Sequence, residues 1–319
     1  MKVIVTGATG SIGSSIVDRL VKNGHEVIGL GQNKEKIERL RADGFDIRKC
    51  SLNDKQLMEE SFSNVDCIVH SAAFAAPFGF AKKFFQTNTE GTRTIMEIAQ
   101  KLGIKRVIFI SSSSIFEKAN PNDNHGDSLP QIQPSHPYSL SKYYAEKVLN
   151  DFPSGMWIGL RPRAVFGKND TTVLPRINKL INSKRYLVIG NGKTLVDVTC
   201  MSNFLDAVEC ALNAEDNATG RVYNISNGKP LEAGYMMSKI AHKRYPDCKA
   251  KHLPYTPIKV LSYFINMLGY LSFGSYQPSL TPYSVNQLTK RMVMDISGAK
   301  KYLGWIPKQS FEEGLEEIR

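Results

Sequence analysis

No C-x-x-C pair occurs in the 319 residues, and the five cysteines (Cys50, Cys67, Cys200, Cys210, Cys248) form an odd set. Their number and spacing argue against a disulfide framework and a thiolate zinc site, so no metal is expected and a reducing, cytoplasmic compartment is the simplest home. Long apolar runs are missing too. The uncharged stretch Val260–Phe273 falls short of the about 20 residues that a bilayer span needs. The opening MKVIVTGATG is too brief for a signal h-region and lacks a small-residue cleavage site. Blocks of like charge are absent as well: Lys+Arg number 41 against 30 Asp+Glu, a formal +11, but the bases are dispersed. Nucleic acid is therefore not the expected partner, and an anionic small ligand or an acidic membrane surface fits better. There is no internal repeat and no low-complexity tract. With 42% hydrophobic residues the chain has enough apolar surface to fold.

What is present is an alternation of strand-like and helix-length segments, the pattern of βαβ units. Strands are expected at Lys2–Thr6, Glu26–Leu30, Phe45–Lys49, Val65–His70, Arg106–Ile110 and Met156–Leu160. Helices are expected at Ser11–Asn23, Ala81–Leu102 and Tyr138–Leu149. Residues 117–137 are rich in polar residues and breakers and read as a long surface loop. Beyond Gly167 the alternation loosens, with strand-like pieces at Tyr186–Ile189 and Val222–Ile225. The fold class expected is α/β, a doubly wound parallel (Rossmann) sheet over residues 1–165 with a smaller, irregular substrate lobe over 166–319, and some chain crossing back. Val260–Phe273 reads first as a buried helix of that lobe; an apolar substrate wall and an interfacial membrane contact are the alternatives.

The first strand runs into Gly7-Ala8-Thr9-Gly10-Ser11-Ile12-Gly13, and a periodic helix follows at once. Gly7 and Gly10 allow a tight turn and close approach to a pyrophosphate, and Gly13 allows close packing of helix on sheet. The N–H groups at the helix start, from Ser11 and Ile12 onward, face the anion. Where the second strand ends, at Gln32-Asn33-Lys34, no acid is available for the ribose hydroxyls. Lys34 could meet a 2′-phosphate, which leans the expectation toward NADP(H) over NAD(H).

Tyr138 and Lys142 stand four apart on an expected helix and share a face. A phenol with a pKa near ~10 becomes a usable acid or base beside an ammonium. The run Ser111–Ser114 ends the fifth strand, where doubly wound folds place their ligands, and a hydroxyl there could hold a substrate oxygen.

In this order the motifs resemble the extended short-chain dehydrogenases/reductases over nearly the whole chain. The resemblance rests on TGATGSIG at 6–13, HSAA at 70–73, NTEGT at 88–92, ISSSSIF at 110–116, PYSLSK at 137–142, LRPRAVFG at 160–167 and SNFLDA at 202–207. It implies Tyr138 as proton donor or acceptor and Lys142 as its electrostatic partner and nicotinamide-ribose ligand. It also implies Ser112, with Ser113 as fallback, as the substrate-orienting hydroxyl. Ser71, Ala72 and Ala73 would line the dinucleotide, and Asn88 would brace the active-site backbone or a water. Two departures stand out. Where the family often shows Gly-Asp-Leu, this chain has Cys50-Ser51-Leu52, leaving Ser51 or backbone groups to meet the adenine. Arg163 replaces the Asn that serves the nucleotide sugar in the epimerases and dehydratases. The similarity is greatest to the branch of 3β-hydroxysteroid dehydrogenases, sterol-4-carboxylate 3-dehydrogenases and 2-alkyl-3-ketoalkanoate reductases. It carries LRPRAVFGKNDTTVLPRI at 160–177, LVDVTCMSNFLDAV at 195–208, YNISNGKPL at 223–231 and LTPYSVNQL at 280–288. An NAD(P)-dependent oxidoreductase acting on a secondary alcohol or ketone of a bulky, apolar substrate is implied, with a nucleotide-sugar epimerase or reductase as the alternative. The resemblance also leaves room for a homodimer.

Overall fold

The computed structural model describes residues 1–318. The first half alternates strand and helix: β1 (Lys2–Thr6), α1 (Ser11–Lys22), β2 (Glu26–Gly31), α2 (Lys34–Ala42), β3 (Asp46–Lys49), α3 (Lys55–Ser61), β4 (Cys67–His70), α4 (Ala81–Phe84), α5 (Gly91–Lys101), β5 (Arg106–Ile110) and α6 (Pro137–Leu149). Then come β6 (Trp157–Pro162), α7 (Val173–Asn178), β7 (Arg185–Ile189), α8 (Met201–Leu212), β8 (Arg221–Ile225), α9 (Ala233–Arg244), β9 (Lys249–Leu253), α10 (Tyr255–Leu271) and α11 (Pro282–Thr289), with two-residue strands between them.

Seven strands form one sheet in the order β8-β6-β5-β4-β1-β2-β3, and every neighbouring pair is parallel. Val3, Ile4, Val5, Ile68, Val69, Val107, Ile108 and Phe109 are fully buried, as strands covered by helices on both faces must be. The order reverses between β1 and β4, so a crevice opens there at the carboxyl ends of the strands. The strand expected at Val222–Ile225 is β8 of this sheet. Together with α8, which packs on α1, it brings residues 201–225 back to the first half. The piece at Tyr186–Ile189 is β7, paired with β9 in a separate two-stranded sheet.

Two features differ from the expected elements. The helix expected over Ala81–Leu102 changes register at Phe85–Glu90, where one π-helical turn separates α4 from α5. Such a turn bulges toward α6, and Thr89 Oγ1 donates to the Ser141 carbonyl at 2.9 Å. The loop at 117–137 is pinned: Asn124–His125 pairs with Val293–Met294, and Lys290 and Arg291 donate to the Ala119 and Asp123 carbonyls at 2.9 and 2.7 Å.

The buried helix expected at Val260–Phe273 is overturned. Only Ser262 and Gly269 of α10 are buried, while Val260, Leu271 and Phe273 are 64%, 65% and 88% exposed. Gly269 lets α10 press on Phe78, since a Cβ there would lie 2.9 Å from that ring. Among the described residues no helix is long and apolar enough to cross a membrane. The cysteines are free thiols, four of them buried, and burial pushes Cys67 up to about 12.

Candidate active site

The turn after β1 has two positions that only glycine fills. Gly7 has φ +71°, and a Cβ on it would come within 2.7 Å of the Ala72 backbone. A Cβ on Gly13 would sit 2.2 Å from the Gly7 carbonyl oxygen. The start of α1 thus lies directly against β1 and the segment after β4. Gly10 is its N-cap and carries no side chain, and the first turn holds no acid, so the N–H groups at Ser11, Ile12 and Gly13 form an open, positive helix end. The cradle fits a pyrophosphate. Opposite it, Ser71 Oγ donates to the Thr6 carbonyl at 2.7 Å, Ala72 is half-buried and Ala73 is exposed. Beneath it lies a network absent from the sequence reading. His70 is sandwiched between the hydroxyls of Thr6 (2.7 Å) and Thr92 (3.1 Å), and burial, with Lys142 nearby, lowers its pKa to about 3.

At the other end of the crevice, Gln32 Nε2 reaches Ser51 Oγ at 3.5 Å, so the residues following β2 and β3 meet. Leu52 is half-buried against Gly91. Asn33 is engaged as the cap of α2, its Oδ1 accepting from Lys36 N at 2.9 Å, and Lys34 is exposed in the first turn. The lysine that reaches the glycine turn is Lys36, whose Nζ donates to the Thr9 carbonyl at 3.0 Å. Position 36 carries no motif, so spacing alone could not have found it.

The serine run after β5 sorts itself by burial. Ser113 and Ser114 are 2% and 3% exposed, and Ser111 donates to Glu146, which is held by Arg161 at 2.7 Å. Ser112 is the member that stays partly open; its Oγ accepts from Ser114 N at 3.2 Å and its hydroxyl lies beside the Tyr138 side chain. Burial raises the pKa of Tyr138, while the neighbouring Ser112 hydroxyl and the positive charge of Arg176 on α7 pull the other way. Lys142 is 2% exposed on the same helix; its Nζ donates to the Ile110 carbonyl at 2.6 Å and lies 4.4 Å from the Phe109 ring centre. Burial lowers it to about 7, against the pull of Glu146. The lysine is thus held at the end of β5 rather than on the phenol.

Asn88, on the π turn, is wholly buried. Its amide accepts from Phe74 N at 2.7 Å, donates to Phe74 O at 3.1 Å and donates to Ser141 Oγ at 2.9 Å, bracing backbone and α6 together. Sequence reasoning missed three neighbours of Tyr138: Arg176, and the pair His136 and Tyr283, whose rings stack at 3.9 Å. Arg163 is buried with Nη2 on the Gln287 carbonyl at 3.1 Å, a donor where an amide would be needed to serve a nucleotide sugar.

Residues 3–226 match the NAD dependent epimerase/dehydratase family. The chain belongs to that family. It is an extended short-chain dehydrogenase/reductase, an enzyme with a nicotinamide dinucleotide as cofactor. It is similar to the 2-alkyl-3-oxoalkanoate reductase of Stenotrophomonas maltophilia, 27% identical over 100% of this chain and 98% of that protein. It is also similar to the mouse (Mus musculus) sterol-4-alpha-carboxylate 3-dehydrogenase, decarboxylating, 24% identical over 99% of this chain and 89% of that protein. Among solved structures, the UDP-glucuronic acid 4-epimerase of Bacillus cereus in complex with NAD shares the fold, with TM-score 0.76 and 22% identity over 100% of this chain and 97% of that one.

Proposed function

We propose that the chain is a cytoplasmic NAD(P)-dependent reductase or dehydrogenase of a bulky, largely apolar ketone or secondary alcohol, of the β-keto acid or sterol kind. The supporting observation is that Ser112 lies beside Tyr138 at the carboxyl edge of the same sheet that carries the glycine turn. When bound, the dinucleotide supplies the hydride in reduction and takes it up in oxidation. In the reducing direction Ser112 and Tyr138 donate hydrogen bonds to the substrate carbonyl oxygen, and Tyr138 releases its phenolic proton to that oxygen as charge builds there. In the oxidising direction the phenolate takes the proton from the alcohol. Lys142 would hold the nicotinamide ribose, and Asn88 fixes the Phe74 backbone. Arg176 has no carboxylate partner among the described residues and is available to a substrate carboxylate. Residues 1–165 chiefly serve the dinucleotide and 166–319 chiefly the substrate.

NADP(H) is the preferred cofactor on this reading, with Lys36 joining Asn33 and Lys34 as the positive neighbour of a 2′-phosphate. The nucleotide-sugar alternative loses ground to Arg163, which has taken the amide's position. Tyr138→Phe should lower kcat at least about a thousandfold, because proton transfer and the hydrogen bond to the developing oxyanion vanish together, while NADPH binding measured by fluorescence is kept. Near-normal turnover of a β-keto ester or 3-ketosteroid by that variant would sink the assignment.

A further inference from the structure

In α10 the usual arrangement of a surface helix is inverted. Ser262 and Gly269, two turns apart and so on one face, are its buried residues, while large apolar side chains point outward. Tyr263, Phe264 and Leu271 are 59%, 54% and 65% exposed, and Phe80, 47% exposed, extends the patch by packing edge-on against Tyr270 at 5.7 Å. A contiguous outward apolar surface of this kind marks an interaction site.

Charge identifies the occupant. Residues 248–294 contain no acid and five bases; residues 171–196 likewise contain no acid and five bases; residues 67–89 contain no acid and two bases. The three segments lie together, because β9 pairs with β7 and Tyr270 packs against Phe78 at 4.8 Å. Of the twelve bases in these stretches, Arg176 acts on Tyr138, Lys290 and Arg291 hold the 117–123 carbonyls and Lys259 has Glu117 near it, while Lys82, Lys83, Lys249 and Lys251 are exposed beside the patch or on the strand leading into α10. An apolar face set among bases is complementary to an anionic lipid surface, with headgroups meeting the lysines and acyl chains meeting the aromatics.

We infer that α10 and the Phe78–Lys83 segment dock the protein on the surface of an anionic phospholipid bilayer, as a peripheral contact and not a span. An aromatic path leads inward from there: Tyr270 touches Phe78, the same loop carries Phe74, whose ring lies 4.7 Å from Phe84, and Phe84 lies 6.4 Å from Tyr138. Entry of an apolar ketone from the bilayer along this path rests on the proposed reaction; the docking does not.

Flotation of the full-length protein with vesicles tests it. With vesicles of phosphatidylcholine containing about 30 mol % phosphatidylglycerol, the protein should float at least about tenfold more than with phosphatidylcholine alone. Phe264→Glu with Leu271→Glu, or the milder Leu271→Ser, should remain folded by circular dichroism and lose most of the flotation. Lys82→Ala with Lys83→Ala should lower it several-fold. Tyr138→Phe should float like the wild type, so that failure of the reaction and failure of docking are read separately. Wild-type protein that stays unbound with anionic vesicles overturns the inference. So does a dimer in light scattering that Leu271→Ser splits, which would give the face to a second copy of the chain.

Discussion

Helices α1 and α10 turn their apolar side chains to opposite ends. In α1, Ile16, Val17 and Leu20 have no exposed surface, and the charged Asp18, Arg19 and Lys22 occupy the other side. In α10 the inward positions are small or polar and the outward ones are large and apolar. The first helix is held by the hydrophobic effect acting within the chain; the second leaves its apolar surface for something outside it. Apolarity therefore tells how much surface a helix will remove from water and not what will cover it.

The largest effect that would sharpen this contrast is on the α1 side. Leu20→Ala empties a site in the main core and should destabilise the protein by about 2–5 kcal/mol, measured as a drop in urea midpoint at unchanged m. A cost below about 1 kcal/mol would mean that α1 is not anchored as its burial implies.

The contrast also explains what was legible in the sequence. Strands β1, β2, β4 and β5 and helix α1 could be placed because each has a burial pattern set by one dominant partner, the parallel sheet. Gly7 and Gly13 were legible because a missing Cβ is a backbone requirement written into the residue type. Three things were not legible. The π turn at Phe85–Glu90 is imposed by what Asn88 and Thr89 must reach on α6. Lys36 rather than Lys34 touches the glycine turn because a long side chain spans from α2 to Thr9, a distance fixed by sheet geometry. The orientation of α10 was hidden because a helix apolar on nearly every side has no periodicity from which to read an inward face.

An intermediate effect separates the two regions by pH. The folded-state pKa of His70, about 3, lies below the ordinary histidine value of about 6.5, chiefly because it is buried and then because Lys142 is near. Between those values the unfolded chain binds a proton that the folded chain refuses, so stability is full above pH ~6.5 and falls as the pH drops toward ~3. His70→Gln should flatten that fall in urea midpoints recorded from pH 7 to pH 4, whereas Phe264→Ser, at a position 54% exposed and far from that network in the chain, should leave the slope unchanged. Equal slopes in wild type and His70→Gln would show that the network under the glycine turn does not carry the acid sensitivity.

The smallest expected effect is the most telling. Leu271→Ala removes as many carbon atoms as Leu20→Ala, yet Leu271 is 65% exposed and should cost no more than about 0.5 kcal/mol in dilute, lipid-free solution. The two substitutions share their chemistry, so any difference between them measures burial alone. A loss of about 2 kcal/mol or more at Leu271 that grows with protein concentration would mean that α10 is a core position shared with a second copy, and the contrast with α1 would disappear.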